Sequence, residues 1–336
     1  MSTLTQRQTT KTNLKLGGGK PQDASTFPNE MPIQGVAKLA PSSWVPYVQL
    51  MRLDRPGFLG FFMPTLTGLT AGAGLSKPLT SPTTLLKEFA FWWLVTNLIR
   101  GTSCTWNDNV DQDFDRQVPR TRTRPIARGA VSTTQAHIFT LVQLAITCWS
   151  LSHLPPQCFP WTITLIVTHT IYPLCKRFMD FTPVFLGLPF SASMMLPAVG
   201  LGLDPFSLPA GLLFGAEFTW TVIYETIYAH QDVQHDVQAG VKSMAVRFKD
   251  STKTLASCLS VVMVGFLVAI GVVCEMSAPY FLVSCVGTAI SLAIIISSVD
   301  LTKPESCLYW FRTGFYIVGG SKVGGFAADY LVSLLA

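Results

Sequence analysis

The sequence predicts an all-α integral membrane protein, and three observations carry that expectation. Apolar residues make up 49% of the 336 residues and charged residues only 13%, against about 25% charged in soluble domains. The apolar residues gather into stretches of the roughly 20 residues that a bilayer-spanning helix needs. The lysines and arginines fall almost entirely into alternate connections between those stretches, the asymmetry that membrane insertion imposes.

Two units follow. Residues 1–40 read as a disordered polar tail, with Gly17-Gly18-Gly19 and many Ser, Thr and Gln and too little apolar content to pack. No acid precedes Asp23, while Arg7, Lys11, Lys15 and Lys20 do. That is a weak likeness to a mitochondrial presequence, because there is a single arginine and no amphipathic run. Residues 41–336 read as the transmembrane unit. Spans are expected at roughly 57–75, 85–105, 133–153, 159–174, 182–203, 209–229, 254–275, 279–299 and 311–335, nine in all. The fourth is short, and Pro155-Pro156 and Pro160 mark its start.

The connections test that map. Those before the first span and after the second, fourth, sixth and eighth hold fifteen basic residues from Arg52 onward, including Arg116, Arg120, Arg122, Arg124, Lys176, Lys242 and Arg247. The other side holds two, Lys77 and Lys87. Losing one span would scramble the split, so the asymmetry supports nine spans with the N-terminus on the cytoplasmic or matrix side. The net charge of +5 does not suggest nucleic acid. Eight scattered cysteines, none in a CxxC pair, read as small apolar core residues rather than a disulfide framework or a zinc site.

Two acidic clusters fall on the basic side. The first runs Asn107-Asp108-Asn109-Val110-Asp111-Gln112-Asp113-Phe114-Asp115. On a helix, Asp108, Asp111 and Asp115 share one face. Three carboxylates there repel unless a cation joins them, and hard oxygen ligands at this spacing suit magnesium with bound phosphate. A calcium loop is excluded, because Arg116 and Arg122 replace its Gly and closing Glu. The second cluster runs Tyr224 to Asp236, with Glu225, Tyr228, Asp232 and Asp236 spaced as one helical stripe. Two acidic helix ends facing each other could hold two or more Mg2+ around a diphosphate. Each cluster ends a span and precedes a basic stretch, as a four-helix unit used twice would look.

Arg100 lies inside the second span, seven residues before Asn107. An arginine at that depth needs an anionic partner: an acceptor carboxylate, a diphosphate, or one of the aspartates. His230 sits beside the second stripe and reads as a packing or hydrogen-bonding residue.

At these residues the chain resembles the UbiA superfamily of intramembrane prenyltransferases. The first family motif, NDxxDxxxD, is matched by Asn107, Asp108, Asp111 and Asp115, and its flank by Arg116, Arg120-Thr121-Arg122 and Arg124-Pro125. The second, YDxxYAxxDxxxD, is matched at Tyr224, Tyr228, Ala229, Asp232 and Asp236, with Glu225 in place of its Asp, followed by Gly240-Val241-Lys242-Ser243. A central YPxxKR stands as Tyr172-Pro173-Leu174-Cys175-Lys176-Arg177, and Met51-Arg52-Leu53-Asp54-Arg55-Pro56 resembles the opening segment.

The resemblance implies nine helices around a central cavity and an aromatic polyprenyltransferase. Mg2+ would be held by Asp108, Asp111, Asp115, Asp232 and Asp236. The diphosphate would be bound by Lys176, Arg120, Arg124 and Asn107, and the acceptor by Arg100. Tyr172 and Tyr228 would steady an allylic cation. Glu225, about 10 Å deeper than Asp232 at 1.5 Å per residue, would orient the acceptor phenol or take its proton. The implied partners are an isoprenyl diphosphate, an aromatic acceptor and membrane lipid. Fungal members that farnesylate polyketide-derived phenolic acids for meroterpenoids are the first expectation, in the endoplasmic reticulum or a similar endomembrane. The mitochondrial 4-hydroxybenzoate polyprenyltransferases of ubiquinone synthesis are the second. A cation-coupled transporter would place its ionisable residues near the midplane, whereas the clusters here lie at span ends.

Overall fold

The computed structural model describes residues 31–55, 58–118, 120–175, 177–239 and 242–336. Most of the expected tail, together with Pro56, Lys176, Gly240 and Val241, lies outside them. The described chain begins with a 3-10 turn, Gly35–Leu39, and a short helix α1 (Val45–Leu50). There follow α2 (Phe58–Leu75), α3 (Pro82–Val110), α4 (Gln112–Asp115), α5 (Thr133–Leu151), α6 (Phe159–Cys175) and α7 (Thr182–Gly200). The second half holds α8 (Leu208–Ala229), α9 (Val233–Ala239), α10 (Met244–Phe248), α11 (Thr252–Val273), α12 (Ala278–Tyr280), α13 (Gly287–Ser298) and α14 (Pro304–Leu335). A π-helical segment, Phe281–Val286, joins α12 to α13. No strand occurs among the described residues.

Local chemistry sets the helix starts. Ser81, Ser132 and Ser207 each accept a hydrogen bond from the backbone N–H three residues on. Ser132 and Gln135 complete a reciprocal capping box, an arrangement that satisfies two orphaned N–H donors. Pro82 and Pro304 occupy first helical positions, where a missing N–H costs nothing.

Four described segments are long and apolar enough to cross a membrane: 156–175, 182–200, 244–273 and 278–298. Of these, 182–200 is the most enclosed, 72% buried against 28–33% for the others, so α7 is the central helix. It packs on α2, α6 and α8. Its approach to α2 is close because Gly68 and Gly72 face it. A Cβ on Gly68 would stand 1.9 Å from the Met194 carbonyl oxygen, and one on Gly72 2.8 Å from the Ala198 Cα. Small residues four apart let spanning helices meet backbone to backbone. Hydroxyls tie the same layer, with Thr65 3.2 Å from both Thr96 and Ser193. On the outside Leu141, Val261 and Leu282 are exposed, as lipid-facing side chains are. The second-half helices α8, α11, α13 and α14 pack on one another, and α14 closes against α2.

Candidate active site

The first acidic segment is not one unbroken helix. Helix α3 ends at Val110, the backbone turns at Asp111, and α4 restarts at Gln112. The single helical face expected for Asp108, Asp111 and Asp115 is therefore bent at its middle residue, although all three side chains are buried. Arginines hold the bend. Arg177 donates through Nη2 to the Val110 carbonyl at 3.0 Å, capping an orphaned C-terminal acceptor of α3. Arg124 Nη1 stands 2.9 Å from both Asp108 Oδ1 and Asp115 Oδ2, so one guanidinium joins both sides of the turn. Burial works against the charge on Arg124, but Asp108 and Asp115 outweigh it and hold the guanidinium protonated above its usual range.

A second arginine comes from far away in sequence. Arg52 donates through Nη2 to both oxygens of Asp108, at 2.6 and 2.7 Å, and through Nη1 to the Gln49 carbonyl. Its backbone sits at φ +59°, a left-handed conformation that costs a non-glycine residue energy and is found where surroundings enforce it. In the sequence Arg52 stands among the basic residues and in the opening segment, with no sign that it reaches the site. The connection after α4 is pinned in turn, with Thr121 Oγ1 donating to the Asp115 carbonyl at 3.1 Å and Arg128 Nη2 to Gln49 Oε1 at 3.1 Å.

The second segment is also broken. Helix α8 ends at Ala229 and α9 begins at Val233, so the stripe from Glu225 to Asp236 is split between two helices. Arg120 brings the two segments together, donating to Asp232 from Nε at 3.1 Å and from Nη2 at 2.7 Å. This bidentate fork spans 112 residues of sequence. Burial opposes the charge on Arg120, and the nearby Tyr228 and Asp232 outweigh it and raise its pKa. Tyr172 stands within electrostatic reach of Glu225, Asp111 and Tyr228, so α6, α3 and α8 converge at one pole. Lys176 lies outside the described residues. His230 is a packing residue, its Nε2 2.9 Å from Thr252 Oγ1.

Below this pole lies an aromatic tier. Tyr224 touches Phe190, Trp220, Phe311 and Phe315, and Tyr228 meets Phe311 at a tilt of 36°, with ring centroids 4.2 Å apart. Arg100 borders the tier, its guanidinium 4.7 Å from the Phe61 ring centroid. It is buried, and its Nε and Nη1 have no hydrogen-bond partner. Of the three partners weighed for it, an aspartate on those two nitrogens is not observed.

The donor chemistry suits a hard divalent cation: Asp108, Asp115 and Asp232 are tied to Arg120 and Arg124 of one connection, with no thiolate or imidazole among them. In the geometry described, Asp108, Asp115 and Asp232 are matched with guanidinium groups, and no three acidic, His or Cys side chains gather at one point among the described residues. Like charges this close need counter-charges, and the arginines supply them.

Comparison with known proteins gives the family and the fold. The model of the UbiA prenyltransferase family matches residues 61–319. The chain is 35% identical over 252 residues to the DMOA farnesyltransferase nvfB of Aspergillus novofumigatus, covering 74% of this chain and 79% of that protein. It is 32% identical over 303 residues to the mitochondrial 4-hydroxybenzoate polyprenyltransferase of Saccharomyces cerevisiae, covering 88% and 78% respectively. Its fold matches a solved UbiA homolog from Archaeoglobus fulgidus bound to GPP and Mg2+, with TM-score 0.67, 19% identity, and coverage of 85% of this chain and 99% of that one.

Proposed function

The chain belongs to the UbiA prenyltransferase family, and from that premise we propose that it transfers a farnesyl group from its diphosphate to the ring of a phenolic acid, in a magnesium-dependent reaction of meroterpenoid biosynthesis. The observation that carries this reading is the Arg120–Asp232 bridge, which ties the connection after the first acidic segment to the second segment, beside an aromatic tier. The farnesyl donor draws support from the Aspergillus relative, and the metal from the Archaeoglobus structure.

In this account Asp108, Asp111 and Asp115 of one segment and Asp232 and Asp236 of the other hold the metal. Bound there, magnesium would supply positive charge for a diphosphate leaving group. Arg120, Arg124, Asn107 and Lys176 bind the diphosphate oxygens, with the two arginines already drawn to the pole by the carboxylates. Such preorganised donors stabilise most where charge grows as the C–O bond breaks. The aromatic tier receives the prenyl chain and excludes the water that would hydrolyse an allylic cation. Tyr172 and Tyr228 steady that cation with their ring faces. Glu225 orients the phenol or takes its proton. Arg100, buried with unpartnered nitrogens, offers a carboxylated acceptor a charge-assisted bond.

In this reading the chain crosses the membrane at the nine stretches expected from its sequence, with the basic pole on the cytosolic face of the endoplasmic reticulum or a similar endomembrane. Cysteines introduced at 116–128 and 242–253 then label from the cytosolic side, and one near Lys77 only from the opposite side. The deciding assay incubates the membrane fraction with geranyl, farnesyl or geranylgeranyl diphosphate and a panel of phenolic acids. A farnesylated phenolic acid formed only with Mg2+ is the expected product. Transfer of long polyprenyl groups to 4-hydroxybenzoate alone would assign the chain to ubiquinone synthesis, and no transfer to any phenol would overturn the reading.

A further inference from the structure

The seam between α8 and α14 carries an ion pair that the reaction pole does not use. Glu217, near the middle of α8, and Lys322, past the midpoint of α14, form a salt bridge with side chains 0% and 2% exposed. They stand inside the spans expected at 209–229 and 311–335, away from the acidic clusters at the span ends. Charges at that depth are tolerated only when matched.

The two helices run antiparallel and meet in step. Tyr224, seven residues along α8 from Glu217, meets Phe315, seven residues back along α14 from Lys322, with centroids 4.7 Å apart. Tyr228, eleven residues from Glu217, meets Phe311, eleven residues back from Lys322, at 4.2 Å. One register therefore runs from the ion pair to Tyr228, about 16 Å away at 1.5 Å per residue. The rings alone do not fix it. Tyr224 also meets Phe311 at 5.7 Å, and Phe315 also meets Trp220 at 6.4 Å. A slip of one turn, about 5.4 Å, would keep rings stacked on rings while parting the two charges.

We infer that Glu217 and Lys322 are the register lock of this seam, a positioning pair that sets the height of Tyr228 and Glu225 against the diphosphate pole. A buried polar pair that selects one register out of several is the best-attested use of such a pair. The catalytic consequence rests on the prenyl transfer proposed above, and the register itself does not.

The test compares three full-length chains: the parent, E217L/K322L, which removes both charges and leaves no unmatched one, and E217K/K322E, which exchanges them. The lock predicts that E217L/K322L accumulates in the membrane but transfers at least about tenfold more slowly, as a misplacement of the order of an ångström does. The KM for prenyl diphosphate should stay within about threefold, and E217K/K322E should recover most of the rate. Register is read independently of activity. With the native cysteines replaced by alanine, Y228C/F311C cross-links on mild oxidation, and the yield falls when the leucine pair is added. Parental transfer or parental cross-linking in the leucine variant overturns the lock, as does an exchange variant no faster than the leucine one. If no chain transfers a prenyl group while cross-linking follows the charges, the prenyl-transfer reading fails and the lock stands.

Discussion

The two acidic segments carry the same chemistry but are held very differently. In the first, Asp108 and Asp115 lie almost wholly out of solvent and share Arg124, and Asp108 also takes Arg52. In the second, Asp232 is held by Arg120 in a pair whose side chains are 21% and 43% exposed. One segment is built into the protein, and the other is joined to it across an open face. A site that must admit a charged donor and release diphosphate can keep one wall rigid and load from the other. The difference also means that equal chemical changes in the two segments should have unequal consequences.

The largest effect expected is on rate and falls on both segments alike. Asp111→Ala and Asp232→Ala should each cut prenyl transfer by about 100-fold or more, because partners only indirectly linked to a metal already cost 10–100-fold when removed. Protein abundance in the membrane should barely change, and immunoblotting beside the transfer assay checks both. A retained rate in either variant would show that segment to be a bystander.

The arginines should separate the segments. Arg124→Met takes the shared guanidinium away from two buried carboxylates, Asp108 and Asp115, a loss of up to about 3–5 kcal/mol, so less folded protein should reach the membrane. Arg120→Met breaks a half-exposed pair worth about 1 kcal/mol or less, so stability should hold while transfer slows. Thermal unfolding in detergent distinguishes the two, and equal melting temperatures would erase the contrast between built-in and loading walls.

Within the second segment, Glu225→Gln should slow transfer to the ring and leave the magnesium requirement unchanged. A raised magnesium requirement, like that of Asp232→Ala, would make Glu225 a ligand instead. Arg100→Leu should weaken binding of carboxylated phenols by about 1.5–3 kcal/mol, the worth of a hydrogen bond to a charged group, and spare phenols without a carboxylate.

The smallest effect belongs to an acid on the same pole but outside both segments. Asp300 is held down to a pKa of about 2, first by hydrogen bonds from Thr302 and Lys303. A lowered carboxylate contributes stability above its unfolded pKa and loses it as pH falls through the folded one, so its contribution is flat from pH 5 to 8. Asp300→Asn should leave transfer within about twofold, as exposed substitutions usually do. A larger drop would mean that acidity at this pole, rather than the two segments, governs the rate.

Helix positions were legible because hydrophobic length and basic connections are properties of the chain itself. Among the described residues a helix lies in each stretch expected to span, four of them long and apolar enough to cross a membrane, and α3 runs to the first acidic motif as its spacing suggested. The turn at Asp111 was not legible, since Asn107 to Asp115 carries no proline or glycine and reads as one helix. Arg52 was missed because its pairing crosses 56 residues and depends on a left-handed backbone that an arginine does not announce. Glu217 and Lys322 left a signal, two charges inside apolar spans, but dense acidic clusters at the span ends outweighed single charges within them. The Arg120–Asp232 bridge could not be read at all, because spacing within each motif says nothing about which loop crosses to the other.

The central claim is that both segments act on one diphosphate through magnesium. Retention of labelled farnesyl diphosphate by the purified protein tests it, measured in Mg2+ and in excess EDTA for the parent, Asp111→Ala and Asp232→Ala. The account predicts retention by the parent in Mg2+, loss in EDTA, and loss in both variants. Retention in EDTA, or retention by either variant at the parental level, would contradict it.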